Sequence, residues 1–479
     1  MRSRRFVAMA CVLAAASLHA AAAGKVSTGQ LFEAMRNPNE LGRYCYLLQT
    51  LPQLAPADAM VARQYLAFSE SELGLYGEAV RDFPLKSRLP DDIAAPTPPN
   101  WEATDAVEAI AGLAASHRVV MVNEAHHDAH TRLLTLELLP RLRAIGYTHL
   151  AIEALVEDGD SLRKRGYPVA ASGTEYLREP VYGQIVREAL RLGYVLVPYD
   201  PAQSSPQERE QSQARTLYEK VLSGDPQAKL LVHAGYAHID KAPGRLGPVQ
   251  PMAERLHRLS GLDILSVDMT DVHEDEPYNE LQASRAVVNA VRNDEALRGK
   301  PETLLTPTRD SRRPLRDAYN QIVAQFHPRG PIVLRNAGDG SLWSARPRLY
   351  DVNVILPPAS DRISSYARDR VVSINVGGGS VVALPPAADG HRPGWMTLDG
   401  RRVPVAIGPE ICGQRFPCLV EARLAAESDD AVAADRYVFL ERGPANVLWL
   451  QPGAYRVRGV GPEGKVLSER ALQVAARAN

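Results

Sequence analysis

Apolar and polar positions run with two different periods through the middle of the chain. Short apolar runs at residues 119–122, 149–152, 194–199, 229–232 and 263–267 are bounded by polar residues. Runs of that length read as strands buried on both faces. Between them the apolar positions fall at helical spacing, at Leu134, Leu138, Leu142 and Ile145 and across 182–192, 208–222 and 249–259. Strands separated by helices specify parallel pairing through right-handed crossovers. Residues 101–357 are therefore expected to form an α/β domain, a mainly parallel sheet with helices on both faces. The run 349–356 reads as a strand that either returns to this sheet or opens the next domain.

The flanks follow other patterns. Residues 25–100 are helical as far as residue 88, with Leu66, Leu73, Ala79, Val80 and Phe83 at helical spacings and Gly74 and Gly77 at a turn. This resembles one tetratricopeptide-type helix pair; a single pair cannot stack into a solenoid, so it is expected as a helical cap on the main domain. A Pro-rich linker, 90–99, follows. Residues 365–479 show short β runs at 371–376, 380–384, 402–407, 437–440, 447–450 and 455–460, separated by Gly, Pro and Asp turns. That spacing predicts a β-sandwich domain. Its Gly377-Gly378-Gly379 run precedes no helix and reads as a strand turn or bulge, not a phosphate loop.

Composition adds compartment and excludes partners. The 479 residues, 45% hydrophobic and 23% charged with a formal net charge of −1, are those of a globular protein of two or three domains. Near-neutrality argues against nucleic acid as a partner. Arg2, Arg4 and Arg5, the apolar run 6–18 and Ala21-Ala22-Ala23 make residues 1–23 a signal peptide, so the mature chain is expected to be periplasmic or secreted. No later run of about 20 apolar residues could span a bilayer. In an oxidising compartment Cys412 and Cys418, six residues apart across a turn-rich stretch, are the expected disulfide pair, and Cys45 reads as a buried small hydrophobe.

Ligands of such sheets bind beyond the carboxyl ends of the strands. Those ends carry Glu124 with His126 and His127, then Glu153, Asp200, His233 with His238, and Asp268. Five strands thus deliver acidic or imidazole groups to one rim. Glu124, His126, His127 and His238 are the types that hold a divalent metal such as zinc. A histidine held by a carboxylate is equally a general base for water, with a second His or an Arg facing a developing oxyanion. Axial ligation of haem is a third use of the same groups. Asn123, Asp200 and His233 are candidates to contact substrate. G-x-S-x-G, H-E-x-x-H, Walker and G-x-G-x-x-G patterns are absent from the sequence.

The stretch 119–155, VVMVNEAHHDAHTRLLTLELLPRLRAIGYTHLAIEAL, resembles the first motif of the superfamily that joins erythromycin esterase-like hydrolases, ChaN-type haem-binding lipoproteins and Tiki/TraB-type proteins. Its form is an apolar strand, Gly-Glu, a nearby His, a long helix and a strand ending in Glu. A second match is Arg209-Glu210 opening a helix, followed by Gly235-Tyr236-Ala237-His238 after the next strand. The resemblance covers residues 118–268. It implies a hydrolase acting on an ester, lactone or amide, with His127 the base in the Glu-x-x-His spacing, Glu124 orienting it, Glu153 and His238 completing the site, and Arg209 steadying an anionic group. It equally implies the alternative of a non-catalytic haem- or metal-binding protein, where Glu124 and His126 match a Glu-x-His spacing. Asn123 stands where the family usually has Gly, and Gly235 where the esterases carry an extra His. A small-molecule substrate or haem is thus the expected partner.

Overall fold

The computed structural model describes residues 28–85, 93–201, 205–274, 318–358 and 392–475, with the backbone of 372–376 and 379–383. The expected signal peptide lies outside the described residues, as do residues 90–92 of the linker and the stretch 275–317.

Four helices open the chain: α1 (Thr28–Met35), α2 (Glu40–Thr50), α3 (Pro56–Glu72) and α4 (Tyr76–Asp82). Asn39 caps α2 by accepting from the Gly42 N–H, and Pro56 at the start of α3 supplies a preset φ where no hydrogen bond is needed. Their shared core, including Leu41, Tyr44, Leu66 and Leu73, extends into Leu419, Val438 and Leu440 of the C-terminal strands and touches Tyr176 and Tyr236 of the central domain. The cap therefore packs on both of its neighbours. The α3–α4 turn is set by Gly74 at φ +81°, with its α-carbon facing the carbonyl oxygen of Arg436.

Strand β1 (Trp101–Asp105) pairs antiparallel with Ile332–Asn336, and Asp105 caps α5 (Ala106–Ala114). The central sheet then begins with β2 (Val119–Glu124), α6 (Leu133–Ala144), β3 (His149–Ile152), α7 (Gly159–Arg165), α8 (Pro180–Arg191), β4 (Val195–Pro198), α9 (Pro206–Leu217), β5 (Leu230–Gly235), α10 (Met252–Ser260) and β6 (Ile264–Asp268). The sheet has six strands in the order β4-β3-β5-β2-β6 followed by Val352–Asn353, and every pairing is parallel. All six residues of β2 and all six of β5 are buried, which is why their sequences read as unbroken apolar runs. Alternation along the strands splits the core by face. Val120, Val122, Ile152 and Leu231 pack with α6 and α8, whereas Val119, Met121, Leu230 and Val232 pack with α9 and α10.

The expected α/β class is present, and the run 349–356 returns to the sheet through Val352–Asn353 rather than opening the next domain. The strands Trp101–Asp105 and Ile332–Asn336 do not figure in the sequence expectation. Their ribbon covers a small satellite core around Ile322, Leu334 and Trp343.

The C-terminal region is antiparallel. A four-stranded sheet places Cys418–Leu424 between Asp435–Phe439 and Gly453–Val460, with Val466–Val474 at the edge. A two-stranded ribbon, Val403–Ile407 with Asn446–Leu450, shares its core through Ile407, Leu448, Val420 and Val457. Residues Val372–Val376 and Gly379–Ala383 pair antiparallel, with Gly379 opposite Val376; Gly377 and Gly378 lie outside the described residues. The expected disulfide between Cys412 and Cys418 is formed, with Cα atoms 5.8 Å apart. Cys45 is buried, and burial pushes its thiol up to about 12. Among the described residues no helix is long and apolar enough to cross a membrane.

Gly74 ties the cap to the strands. A β-carbon there would meet the Arg436 carbonyl oxygen at 2.6 Å in a backbone conformation that L side chains rarely adopt. Gly74→Ala is expected to lower stability by about 1–3 kcal/mol, read from equilibrium urea unfolding; wild-type stability in this variant would contradict the account.

Candidate active site

The carboxyl ends of β2, β3 and β5 meet where the strand order turns back on itself, and two layers of charged side chains sit there. The first layer starts from Glu124, the last residue of β2, wholly buried on the α6/α8 side. One of its oxygens accepts from His126 Nδ1 at 2.8 Å and the other from Arg132 Nε at 2.5 Å. Arg132 is placed by a single 3-10 turn, Ala129–Arg132, that leads into α6. It donates onward to Glu179 (3.0 Å) and to the His126 carbonyl oxygen (3.0 Å), and lies over the Tyr182 ring. Glu179 caps α8 by accepting from the N–H groups of Val181 and Tyr182, and takes the Tyr76 hydroxyl of the helical cap at 2.9 Å. Burial disfavours ionised Glu124, but the Arg132 charge and the His126 hydrogen bond outweigh it and hold the carboxyl at about 2.

Glu153, just past β3, organises the second layer. It accepts from the backbone N–H of Gly235, from Arg209 (2.5 Å), and faces His238 Nε2 at 3.4 Å. His238 also lies 2.6 Å from Glu210, whose other oxygen takes the Met252 N–H at the start of α10. Burial works against a charged His238, yet Glu210 and Glu153 raise its pKa well above the ordinary imidazole range. Glu153 is correspondingly held well below the carboxylate range: burial opposes this, and His238 and Arg209 override it. Arg209 in turn is gripped by Asp200 at 2.6 Å, and Gln213 donates to the same carboxylate.

Gly235 is where the layers touch. A β-carbon on it would lie 2.6 Å from His126 Nε2 and 3.2 Å from the Glu153 carboxylate. The unbonded edge of His126 and the Glu153 carboxylate thus converge on the same glycine. The ring of His126 is held there by stacking on Tyr176 at 4.1 Å, with Phe68 at its edge.

The structure reassigns several expected roles. Glu124 pairs with His126, not His127. His127 turns the other way, stacked on Phe83 at 3.7 Å with its Nδ1 3.2 Å from the Tyr236 hydroxyl. The two histidines are the central residues of a tight turn closed by the Asp128 N–H on the Ala125 carbonyl oxygen at 2.8 Å, and the Glu-x-His spacing is the one that closes. Asn123 is spent on structure: its amide donates to the Tyr236 carbonyl, Asp268 and Thr270 and accepts from the Met269 N–H, clamping β2 to β6. Asp268 belongs to that clamp together with Arg245 and Asn353. Asp200 holds Arg209, so the anionic groups Arg209 steadies are the protein's own. His233 lies one layer down, bonded to Thr135 at 2.8 Å, and burial lowers it to about 4.

The expected metal set of His126, His127, Glu124 and His238 does not assemble. Among the described residues no three His, Cys, Asp or Glu side chains gather as a metal site, and both oxygens of Glu124 are engaged by His126 and Arg132. The His126 ring, the candidate for haem, is stacked on Tyr176 with Phe68 at its edge.

Arg132, Glu179 and Glu210 are the participants that sequence reasoning missed. Glu210 stood beside Arg209 in the second motif without a role. Arg132 and Glu179 carried no signal, since each looks like an ordinary charge near a helix start.

The fold and this rim define an α/β protein with a buried carboxylate–imidazole centre. No family model and no curated protein matches the chain. Among solved structures, the chain is similar to the type III effector HopBA1, at 17% identity over 37% of this chain and 86% of that one, with a TM-score of 0.26. It is similar to a structure described as bacterial protein toxins, at 21% identity over 34% of this chain and 37% of that one, TM-score 0.27. A third is RRSP, a MARTX toxin effector domain from Vibrio vulnificus CMCP6, at 19% identity over 44% of each chain, TM-score 0.25.

The Glu124 pairing has a measurable pH signature. Its folded pKa lies below the unfolded value, so the stability it contributes is present above about pH 4.5 and is lost as pH falls towards 2. Glu124→Gln is expected to cost on the order of 3 kcal/mol at pH 7, with the gap to wild type narrowing at pH 3. A gap of the same size at both pH values in urea unfolding would refute the pairing.

Proposed function

We propose that the protein is an exported hydrolase whose base is His126 and whose substrate carries an ester, lactone or amide bond. The observation that carries this reading is the convergence of His126 Nε2 and the Glu153 carboxylate on Gly235. A carboxylate accepting at Nδ1 fixes the tautomer that presents Nε2 as a proton acceptor, and Glu124 accepts there at 2.8 Å. A water between Nε2 and Glu153 would lose its proton to His126 as it attacks the carbonyl carbon. His238, kept protonated by Glu210 and Glu153, supplies a donor on the side where the oxyanion forms, and Arg209, held by Asp200, keeps Glu153 in place. On bond cleavage a proton returns to the departing alkoxide or amine.

The resemblance to the superfamily of erythromycin esterase-like, ChaN-type and Tiki/TraB-type proteins supports Glu124, Glu153, Arg209 and His238; it implies His127 as the base, whereas the hydrogen bond from His126 to Glu124 favours His126. The haem- or metal-binding alternative has less support, because the donor groups are already engaged with one another. Export is supported by the N-terminal pattern and by the Cys412–Cys418 disulfide, which suits an oxidising compartment. Phe68, Phe83 and Tyr176 cover the rim, so substrate reaches it only when this aromatic layer parts from the sheet.

Hydrolysis of a panel of small esters, lactones and amides by wild type and variants tests the reading. His126→Ala and Glu153→Gln are each expected to lower kcat/KM by about 100-fold or more, and His127→Ala by less than about tenfold. Turnover that survives His126→Ala unchanged, or falls only in His127→Ala, would overturn the assignment.

A further inference from the structure

A polar cavity, independent of the rim and of the hydrolase reading, lies between α8 and the C-terminal strands. It is a partly open cleft of about 380 Å³, lined by Arg187, Arg191, Arg401 and Arg402 with Glu188, and by Trp449 and Tyr455. That volume is at the lower end for small-molecule sites, which favour such domain junctions.

The charges lining it are unevenly met. Arg187 is neutralised by Glu427 through two hydrogen bonds of 2.7 and 2.5 Å, and Arg191 by Glu188 at 2.6 Å. Arg401 spends its Nε on the Leu398 carbonyl oxygen and has no carboxylate within ion-pair distance among the described residues. Arg402 is only 2% exposed, and its Nη1 is buried with no hydrogen-bond partner. No ion pair to Arg402 forms among the described residues. The indole N–H of Trp449 and Nη1 of Arg187 are likewise buried and unbonded.

An arginine is almost never buried without a counter-charge, since the guanidinium cannot shed its proton. Here a buried guanidinium, an idle indole N–H and an idle Nη1 belong to residues that line one cleft. Each is a donor, and the missing element is an acceptor carrying negative charge. The planar fork of Arg402 suits the paired oxygens of a carboxylate or phosphate, and the Trp449 and Tyr455 rings offer apolar surface beside it. We propose that this cavity is a binding site for a small oxyanion-bearing molecule, a carboxylate or a phosphate, with Arg402 as its principal ligand and Trp449 as a second donor.

The test is titration of the full chain with inorganic phosphate and, separately, with citrate, against sodium chloride at matched ionic strength, read by thermal unfolding and tryptophan emission. At least one of the two oxyanions is expected to raise Tm saturably, and the two arms distinguish phosphate from carboxylate recognition. Arg402→Met is expected to weaken that binding about tenfold or more, while the Tm of the ligand-free variant stays level or rises, because an uncompensated buried charge has been removed. Trp449→Phe is expected to weaken it severalfold. The proposal fails if neither oxyanion gives a saturable rise, if chloride reproduces it, or if affinity is unchanged in both variants. It also fails if ligand-free Arg402→Met is markedly destabilised, which would show that Arg402 is already satisfied by the protein.

Discussion

Burying charge at the end of a parallel sheet is the constraint on which the rest of this protein depends. A lone carboxylate at the position of Glu124 would be protonated or would force the strand end open to water. Arg132 prevents both by binding Glu124 and Glu179 at once. Because Glu179 caps α8 and holds Tyr76, this one guanidinium connects β2, α8 and the helical cap. The apolar layer of Phe68, Phe83 and Tyr176 can then lie directly over ionised groups without leaving one unpaired. Removal of any partner exposes the others to the full cost of burial, so the network behaves as a unit.

The same logic divides the rim into a working part and a bracing part. Asn123, Asp268, Arg245 and Asn353 bond to one another and, through Thr270, Asp240 and neighbouring backbone, brace the end of β6 against β2. His126 and Glu153, held from behind by Glu124 and by Arg209 with His238, face each other at Gly235. Precision at the second group rests on rigidity at the first.

The sheet was legible because its strands are buried on both faces, which leaves no ambiguity between strand and surface in runs such as 119–122 and 229–232. The strand Cys418–Leu424 was hidden for the opposite reason. It is central to its sheet, yet its Glu421 is buried in a cluster with Arg423, Arg436 and Arg458, so the charges that mark a loop in sequence are here part of an interior. Val466–Val474 escaped notice as a largely exposed edge strand. At the site, the residue types and their strand ends could be read from sequence, because parallel sheets place function there. The choice between His126 and His127 could not be, since it turns on which side of a two-residue turn meets Phe83 and which meets Tyr176, a contact made by a helix more than forty residues away in one case and a loop fifty residues away in the other.

Gly235 carries a last consequence. Its backbone has φ −78° and ψ 141°, values any residue adopts. Torsion therefore does not reserve this position for glycine; occupied space does. A side chain here would leave the strand, its register and its hydrogen bonds as they are, and its whole effect would fall on the separation of two ionisable groups. The meeting point of the two layers is a vacancy in the sequence, a place on the rim whose geometry is set by the atoms a residue lacks.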